Sequence, residues 1–241
     1  MSIFYGPIKS RRLGISLGVD IVPPKICSYN CIYCYEDAAT ELTIERRKYL
    51  PFKDFTALSE SLKQRTCKKS SIDYVTFAGS GEPTLNTSLR DYIRFIKDNT
   101  PYRVAVITNG SLLWDPQVRR DLSSADLVVP SLDAATEDTF KRVNRPHKHI
   151  SLQHVLRGLR EFCSEFEGQL WLEILLCSGI NDSDAELESL AEAVESISVD
   201  KVQINTIYYA ASDPSALPVS PGKMEKFKNM LSAPAEVFTG I

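Results

Sequence analysis

Beyond residue 50 the chain settles into a rhythm in which short apolar runs rich in β-branched residues alternate with longer amphipathic stretches. With one earlier run, these predict strands at 15–22, 73–79, 103–108, 127–132, 169–177 and 201–207. Helices are predicted near 53–65, 87–98, 116–123, 151–166, 184–197 and 221–231. Several carry start signals: Thr87-Ser88, Asp115-Pro116 and Asn181-Asp182. Strands alternating with helices in this way predict a parallel α/β fold. No linker, low-complexity tract or internal repeat breaks the pattern, so a single domain over 1–241 is expected.

Strand parity separates a barrel from an open doubly wound sheet. In LWLEILLC, Leu170, Leu172, Ile174 and Leu176 suit contact with covering helices, so Trp171, Glu173, Leu175 and Cys177 face the other side. In RVAVITNG, Val104 and Val106 go with the helices, and Ala105, Ile107 and Asn109 oppose them. A face that mixes small, polar and charged residues suits the inside of a wide barrel with a cavity. Glu173, costly to bury without a partner, is expected to point into that lumen. The strand ends are polar too: Ser80-Gly81-Glu82, Thr108-Asn109-Gly110, Ser131 with Asp133, and Asn205-Thr206. The carboxyl ends of parallel strands are where such folds build active sites.

Composition adds exclusions. A net charge of −3 supplies no general attraction for a polyanion, and Lys9-Ser10-Arg11-Arg12 and Arg46-Arg47-Lys48 read as solvated loop charge or local patches. The start MSIFYGPIKSRR lacks the layout of a signal peptide, and LWLEILLC is far too short to span a bilayer, so no membrane partner is expected. A cytoplasmic location follows as an expectation, and with it six cysteines that are thiols or metal ligands.

Three of those cysteines crowd into CSYNCIYC at 27–34, and Cys67, Cys163 and Cys177 are scattered as plain thiols. No fourth ligand follows the triplet closely. A [4Fe–4S] cluster held by three thiolates leaves one iron without a protein ligand, the open position expected of a catalytic centre. Zinc would need a distant fourth ligand, for which Cys67, Cys163 or Cys177 could serve. Three unrelated buried thiols are the third reading.

CSYNCIYC resembles the Cys-x3-Cys-x2-Cys signature of the radical S-adenosylmethionine (SAM) superfamily, which also follows a first strand. FAGSGEPTL at 77–85 is similar to that family's Gly-Glu-Pro motif, VITNGSLL at 106–113 to its third-strand tip and VPSLDAAT at 129–136 to its fourth. With SRRLGISLGVD, NRPH, LEILLCSGINDS and VQINT, the resemblance extends to a subgroup of iron–sulfur oxidoreductases related to the tRNA wybutosine-synthesising radical enzymes. It covers about residues 5–207, with a C-terminal helix beyond at about 221–231.

The resemblance implies a partial (βα)6 TIM-like barrel with parallel strands, and a [4Fe–4S] cluster on Cys27, Cys31 and Cys34 whose open iron takes the amino and carboxylate groups of SAM. It implies that Tyr33 touches adenine and that Gly79-Ser80-Gly81-Glu82 receives the methionine ammonium, Glu82 accepting a charge-assisted hydrogen bond. Asn109, Ser131 and Asp133 would meet the ribose and carboxylate region, with Glu173 and Asn205 joining the cofactor-binding set from the lumen. Reductive cleavage of SAM would then yield a 5′-deoxyadenosyl radical that abstracts hydrogen from a substrate. The electron would come from a donor such as flavodoxin or ferredoxin.

Plainer readings stand beside these. Tyr33 could be floor packing, Gly79 and Gly81 turn formers, Asp133 a helix N-cap, and Arg145-Pro146-His147 either structural or substrate-facing. The chain also departs from its relatives. It has no cysteine before Cys27, Tyr35-Glu36-Asp37 replaces a Gln-Leu-Gly-like segment, and IYYAASDPSALP follows VQINT. A small-molecule substrate is therefore favoured over tRNA. A glycyl-radical-enzyme activase, a tRNA-modifying enzyme and a zinc-stabilised binding module are the alternatives.

Overall fold

The computed structural model describes residues 3–36, 38–49 and 72–239. In chain order the strands are β1 (Phe4–Ser10), β2 (Gly14–Val19), β3 (Ile26–Cys27), β4 (Glu41–Leu42), β5 (Tyr74–Phe77), β6 (Arg103–Thr108), β7 (Leu127–Pro130), β8 (Gln169–Leu176), β9 (Lys201–Thr206) and β10 (Ala235–Phe238). The helices are α1 (Leu89–Asn99), α2 (Pro116–Leu122), α3 (Glu137–Val143), α4 (Leu152–Glu165), α5 (Asp184–Glu195) and α6 (Pro221–Lys228). The main sheet runs β1-β2-β5-β6-β7-β8-β9-β10 and curls into a half-barrel, with β3 and β4 pairing separately. The six predicted strands are its parallel centre, so the expected TIM-like partial barrel is the observed one.

Two strands of the main sheet, the short β3–β4 pair and a helix went unread. β1 pairs antiparallel with β2 and carries Gly6-Pro7, a pair that reads as a turn; proline is tolerated there because β1 is an edge strand. β10 adds four residues in parallel to β9, and α3 is a seven-residue helix capped by the Thr136 side chain. The predicted helix over 53–65 lies outside the described residues. Asp115 caps α2 as expected, but the cap of α5 is Ser183, whose hydroxyl accepts from the Glu186 N–H. Asn181 instead braces the strand tips, accepting from the Cys177 N–H and donating to the carbonyls of Asp133 and Leu175.

The parity of β8 is as its sequence predicts. Leu170, Leu172, Ile174 and Leu176 are buried in the core beneath the helices, and Trp171, Glu173 and Leu175 face the lumen, each partly exposed. The lumen floor is apolar, built from Leu13, Tyr74, Ala105, Leu127 and Val129 with Ile107 and Trp171 against them. Across the lumen, Arg12 from the β1–β2 turn pairs with Glu173 on β8, and Arg11 stacks 3.9 Å over the ring of Tyr208 beyond β9. Among the described residues no helix is long and apolar enough to cross a membrane.

Several predicted strands end early. The run expected over 73–79 leaves the ladder at Phe77, and that expected over 127–132 leaves it at Pro130. The residues released, Gly79 and Ser131 among them, line a cavity of about 490 Å³ at the strand tips.

Candidate active site

The loop carrying the three cysteines begins on β3 and is held by backbone hydrogen bonds from two distant segments. From the end of α3, the Val143 carbonyl accepts from Ile32 N–H (3.0 Å), the Asn144 and Arg145 carbonyls accept from Asn30 N–H (3.1 Å each), and His147 N–H donates to the Ser28 carbonyl (2.9 Å). From the chain after β9, Ser212 N–H donates to the Cys34 carbonyl (2.8 Å) and Asp213 N–H to that of Ile32 (3.0 Å). An ion pair at 2.5 Å between Arg145 and Asp213 joins the two clamps. Arg145-Pro146-His147 is thus part of the loop's scaffold.

Each thiol receives an N–H. Cys27 Sγ is approached by Tyr29 N–H (3.5 Å) and Asn109 Nδ2 (3.4 Å), and Cys31 Sγ by Asn144 Nδ2 (3.5 Å). Lys25 Nζ lies 3.9 Å from Cys34 Sγ, on a backbone with φ of 69° that threads the chain between Ser80 and Thr40. Donors aimed at sulfur favour the thiolate and tune a cluster's potential. With no metal, burial pushes the Cys27 thiol up to about 12, aided by the Glu82 charge, and lifts Cys31 well above the thiol range. Loading a metal centre therefore releases protons. Among the described residues no three His, Cys, Asp or Glu side chains converge on a single ion. Three thiols on one loop, each with its own N–H donor and all lining one cavity, suit a [4Fe–4S] cluster. Cys163 donates to the Ser198 carbonyl (2.9 Å), Cys177 is buried against Ile32 and Ala216, and Cys67 lies outside the described residues.

The tip of β5 stands next to this loop. Asp20 accepts from both the N–H and the hydroxyl of Ser80 at 3.1 Å, and its carboxylate fills the space a Cβ on Gly79 would need. A Cβ on Gly81 would press on the carbonyls of Ile26 and Pro23. Neither glycine has a positive φ, so close protein packing, and not a turn, explains them. Glu82 is buried. Its Oε1 accepts from Thr84 N–H (3.0 Å), Thr84 Oγ1 and Thr108 Oγ1 (2.6 Å each), and its Oε2 accepts from Asn109 N–H (2.8 Å). Burial raises its carboxyl above the ordinary value against the pull of these four bonds.

Asn109 locks the tip of β6 to the cysteine loop, donating to Ser28 Oγ (2.9 Å), which in turn bonds Ser111 Oγ (2.6 Å). At the tip of β7, Asp133 is buried and accepts from the Tyr33 hydroxyl (2.5 Å), Asn144 Nδ2 (2.7 Å) and Leu175 N–H (2.9 Å). Asp133 therefore orients Tyr33, and the N-cap of α3 is Thr136. The cavity is lined by the three cysteines, Tyr33, residues 79–82, Asn109 and Ser131 together. Glu173 and Asn205 stand apart from that lining. Asn205 Nδ2 donates to Glu173 Oε1 (2.8 Å), and Arg12, which does reach the cavity, pairs with the same oxygen at 2.5 Å.

Sequence reading missed Asp20, Lys25, Asn144 and Ser212, all of which support the loop or the strand tips. Asn144 and Asp20 had a signal, as the first residue of NRPH and the last of SRRLGISLGVD. Two arginines of the second basic run are engaged within the chain: Arg46 pairs with Asp121 and bonds the Thr84 carbonyl, and Arg47 pairs with Glu41 at 2.6 Å.

A family model described as the Radical SAM superfamily matches residues 21–191. A protein of Brachyspira hyodysenteriae named GTPase Obg is 43% identical over 232 residues, covering 95% of this chain and 33% of its own length. The chain thus spans a third of that relative. A UPF0026 protein of Methanocaldococcus jannaschii is 35% identical over 234 residues, covering 96% of this chain and 71% of its own. Among solved structures, a radical SAM methyltransferase from Sphaerobacter thermophilus superposes with a TM-score of 0.72 at 18% identity, over 92% of this chain and 65% of that one, a likeness of fold.

Proposed function

The chain belongs to the radical SAM superfamily and, within it, to the UPF0026 proteins, and on that premise we propose that it takes hydrogen from a small-molecule substrate held in the lumen. As an enzyme of this class it works with a [4Fe–4S] cluster and SAM, which when bound supply one-electron cleavage of the C5′–S bond and a hydrogen-abstracting 5′-deoxyadenosyl radical. The observation that carries the reading is the shared lining of one cavity by three cysteines and the tips of β5, β6 and β7.

The chain's own residues then divide the work. Cys27, Cys31 and Cys34 hold the cluster, with Asn109, Asn144 and Lys25 supporting their charge. Glu82 has one bond on Oε2, which leaves that oxygen able to accept from the methionine ammonium beside the 79–82 backbone. Tyr33, fixed by Asp133, offers a ring to the adenine, and Asn109 and Ser131 line the ribose side. The reductant is a small electron carrier such as flavodoxin or ferredoxin. A cavity of about 490 Å³ shared with both cofactors suits a small molecule or a single side chain better than a folded polymer.

The test is an anaerobic incubation of reduced holoprotein and SAM with extract from cells grown in heavy water, split into low-molecular-weight, RNA and protein fractions. Deuterium in 5′-deoxyadenosine is expected with the first fraction. Transfer only with the RNA or protein fraction would overturn the small-molecule reading.

A further inference from the structure

Below the strand tips, on the β8–β9 side of the lumen, polar groups collect that the SAM site leaves unused. Gln203 pairs in register with Glu173, so both side chains leave the sheet on the lumen face, opposite Val202 and Ile204 in the helix-covered core. Gln203 is 1% exposed, and neither its Oε1 nor its Nε2 has a hydrogen-bond partner among the described residues. Arg12 Nη1 lies 2.5 Å from Glu173 Oε1, so the two charges are paired beside it.

An orphaned buried amide is costly and rare in a folded protein unless something else binds it. Here the orphan amide stands in register beside one ion pair that spans the lumen and touches the cavity through Arg12. We propose that Arg12, Glu173 and Gln203, with Asn205 bracing Glu173, form the substrate's polar subsite, and that it takes the zwitterionic head of a free α-amino acid. This assigns Glu173 and Asn205 to substrate and not to cofactor, and it rests on the radical SAM reading only for the identity of the ligand as substrate.

Charge balance selects the class. An anion such as phosphate would draw Arg12 away and leave the Glu173 carboxylate unpaired in the lumen, and a lone cation would strand Arg12 in the same way. A head carrying both charges meets Arg12 with its carboxylate and Glu173 with its ammonium, so neither is left alone. Gln203, with an amide NH2 that donates and a carbonyl that accepts, can complete either half.

The experiment is calorimetric titration of anaerobic, cluster-loaded protein with the common L-α-amino acids, their amine-only and acid-only analogues, nucleosides and inorganic phosphate, each sample also titrated with SAM. At least one amino acid should bind, and removal of either charge should weaken it at least tenfold. Gln203→Leu should abolish that binding, leave SAM affinity unchanged and raise Tm, because it removes an unsatisfied buried amide; Gln203→Ala serves as a second variant should Leu perturb packing. Lack of binding by every amino acid, equal binding of a singly charged analogue, preference for a nucleoside or phosphate, or a Gln203→Leu protein that binds as wild type would each overturn the proposal. Loss of SAM binding by the wild type would instead count against the function proposed above, since amino-acid binding that depends on Gln203 stands without it.

Discussion

Glu82 takes three hydrogen bonds on Oε1 and one on Oε2, so its carboxylate both ties the tips of β5 and β6 together and keeps an acceptor position for a ligand. Glu82→Ala should therefore act twice. SAM affinity of the loaded protein should fall by roughly 1.5–3 kcal/mol, as for a charge-assisted hydrogen bond, and Tm should fall because the buried Thr84 and Asn109 N–H groups lose their acceptor. Calorimetry and thermal unfolding read the two separately; undiminished SAM affinity refutes the assigned contact. Asp133 makes a pH prediction. Burial pushes its carboxyl up to about 6, against hydrogen bonds from Tyr33, Leu175 and Asn144 that pull it down. The folded state thus keeps a proton that the unfolded chain loses near pH ~4. The stability this contributes is complete below that pH, declines as pH rises towards 6, and is gone above it. A shift of that size is worth roughly 3 kcal/mol. Tm of cluster-free wild type, measured from pH 4 to pH 7, should decline more steeply than that of Asp133→Asn. Parallel profiles would remove Asp133 as the titrating group.

One of the two elements that hold the cysteine loop is the connection after β9, which reaches Cys31, Ile32 and Cys34 through Ser212 and Asp213. Ser212→Pro deletes the N–H to Cys34 and the hydroxyl contacts, so the variant should lose iron to a chelator severalfold faster than wild type. Lys226→Ala, which removes only an exposed pair with Asp184, should retain iron as wild type does. Equal retention in both would mean that the clamp does not matter. No reading of the sequence could have found this clamp, because its partners are about 180 residues apart. The same holds for Asn144 and Cys31, 113 residues apart. What could be read was local. β8 betrays its two faces through a period of two, the cysteines announce themselves by spacing, and Gly79 to Glu82 do so by motif. β1 was hidden because Gly6-Pro7 reads as a break, and Gln203 because polarity inside an apolar strand acquires meaning only once the opposite residue, Glu173, is known.

For the whole molecule, charge and cavity point the same way. Net charge is −3, and Arg12, Arg46 and Arg47 each have a carboxylate partner. Binding to bulk tRNA should be weak and fade with added salt, by roughly 0.7–0.9 in log–log slope per phosphate engaged. Arg46→Ala with Arg47→Ala should leave it unchanged; tight binding at physiological salt that this pair of changes removes would restore the RNA-modifying alternative. Iron content separates the metal readings. Anaerobic reconstitution should give about one cubic cluster per chain, lost in Cys27→Ala, Cys31→Ala and Cys34→Ala but kept in Cys163→Ala and Cys177→Ala. The most direct measurement of the central claim is chromatography of reduced, cluster-loaded protein incubated with SAM and no substrate. Slow release of 5′-deoxyadenosine and methionine in equal amounts, absent from Cys31→Ala, is the predicted result. Loaded, reduced protein that binds SAM yet releases neither product would contradict it.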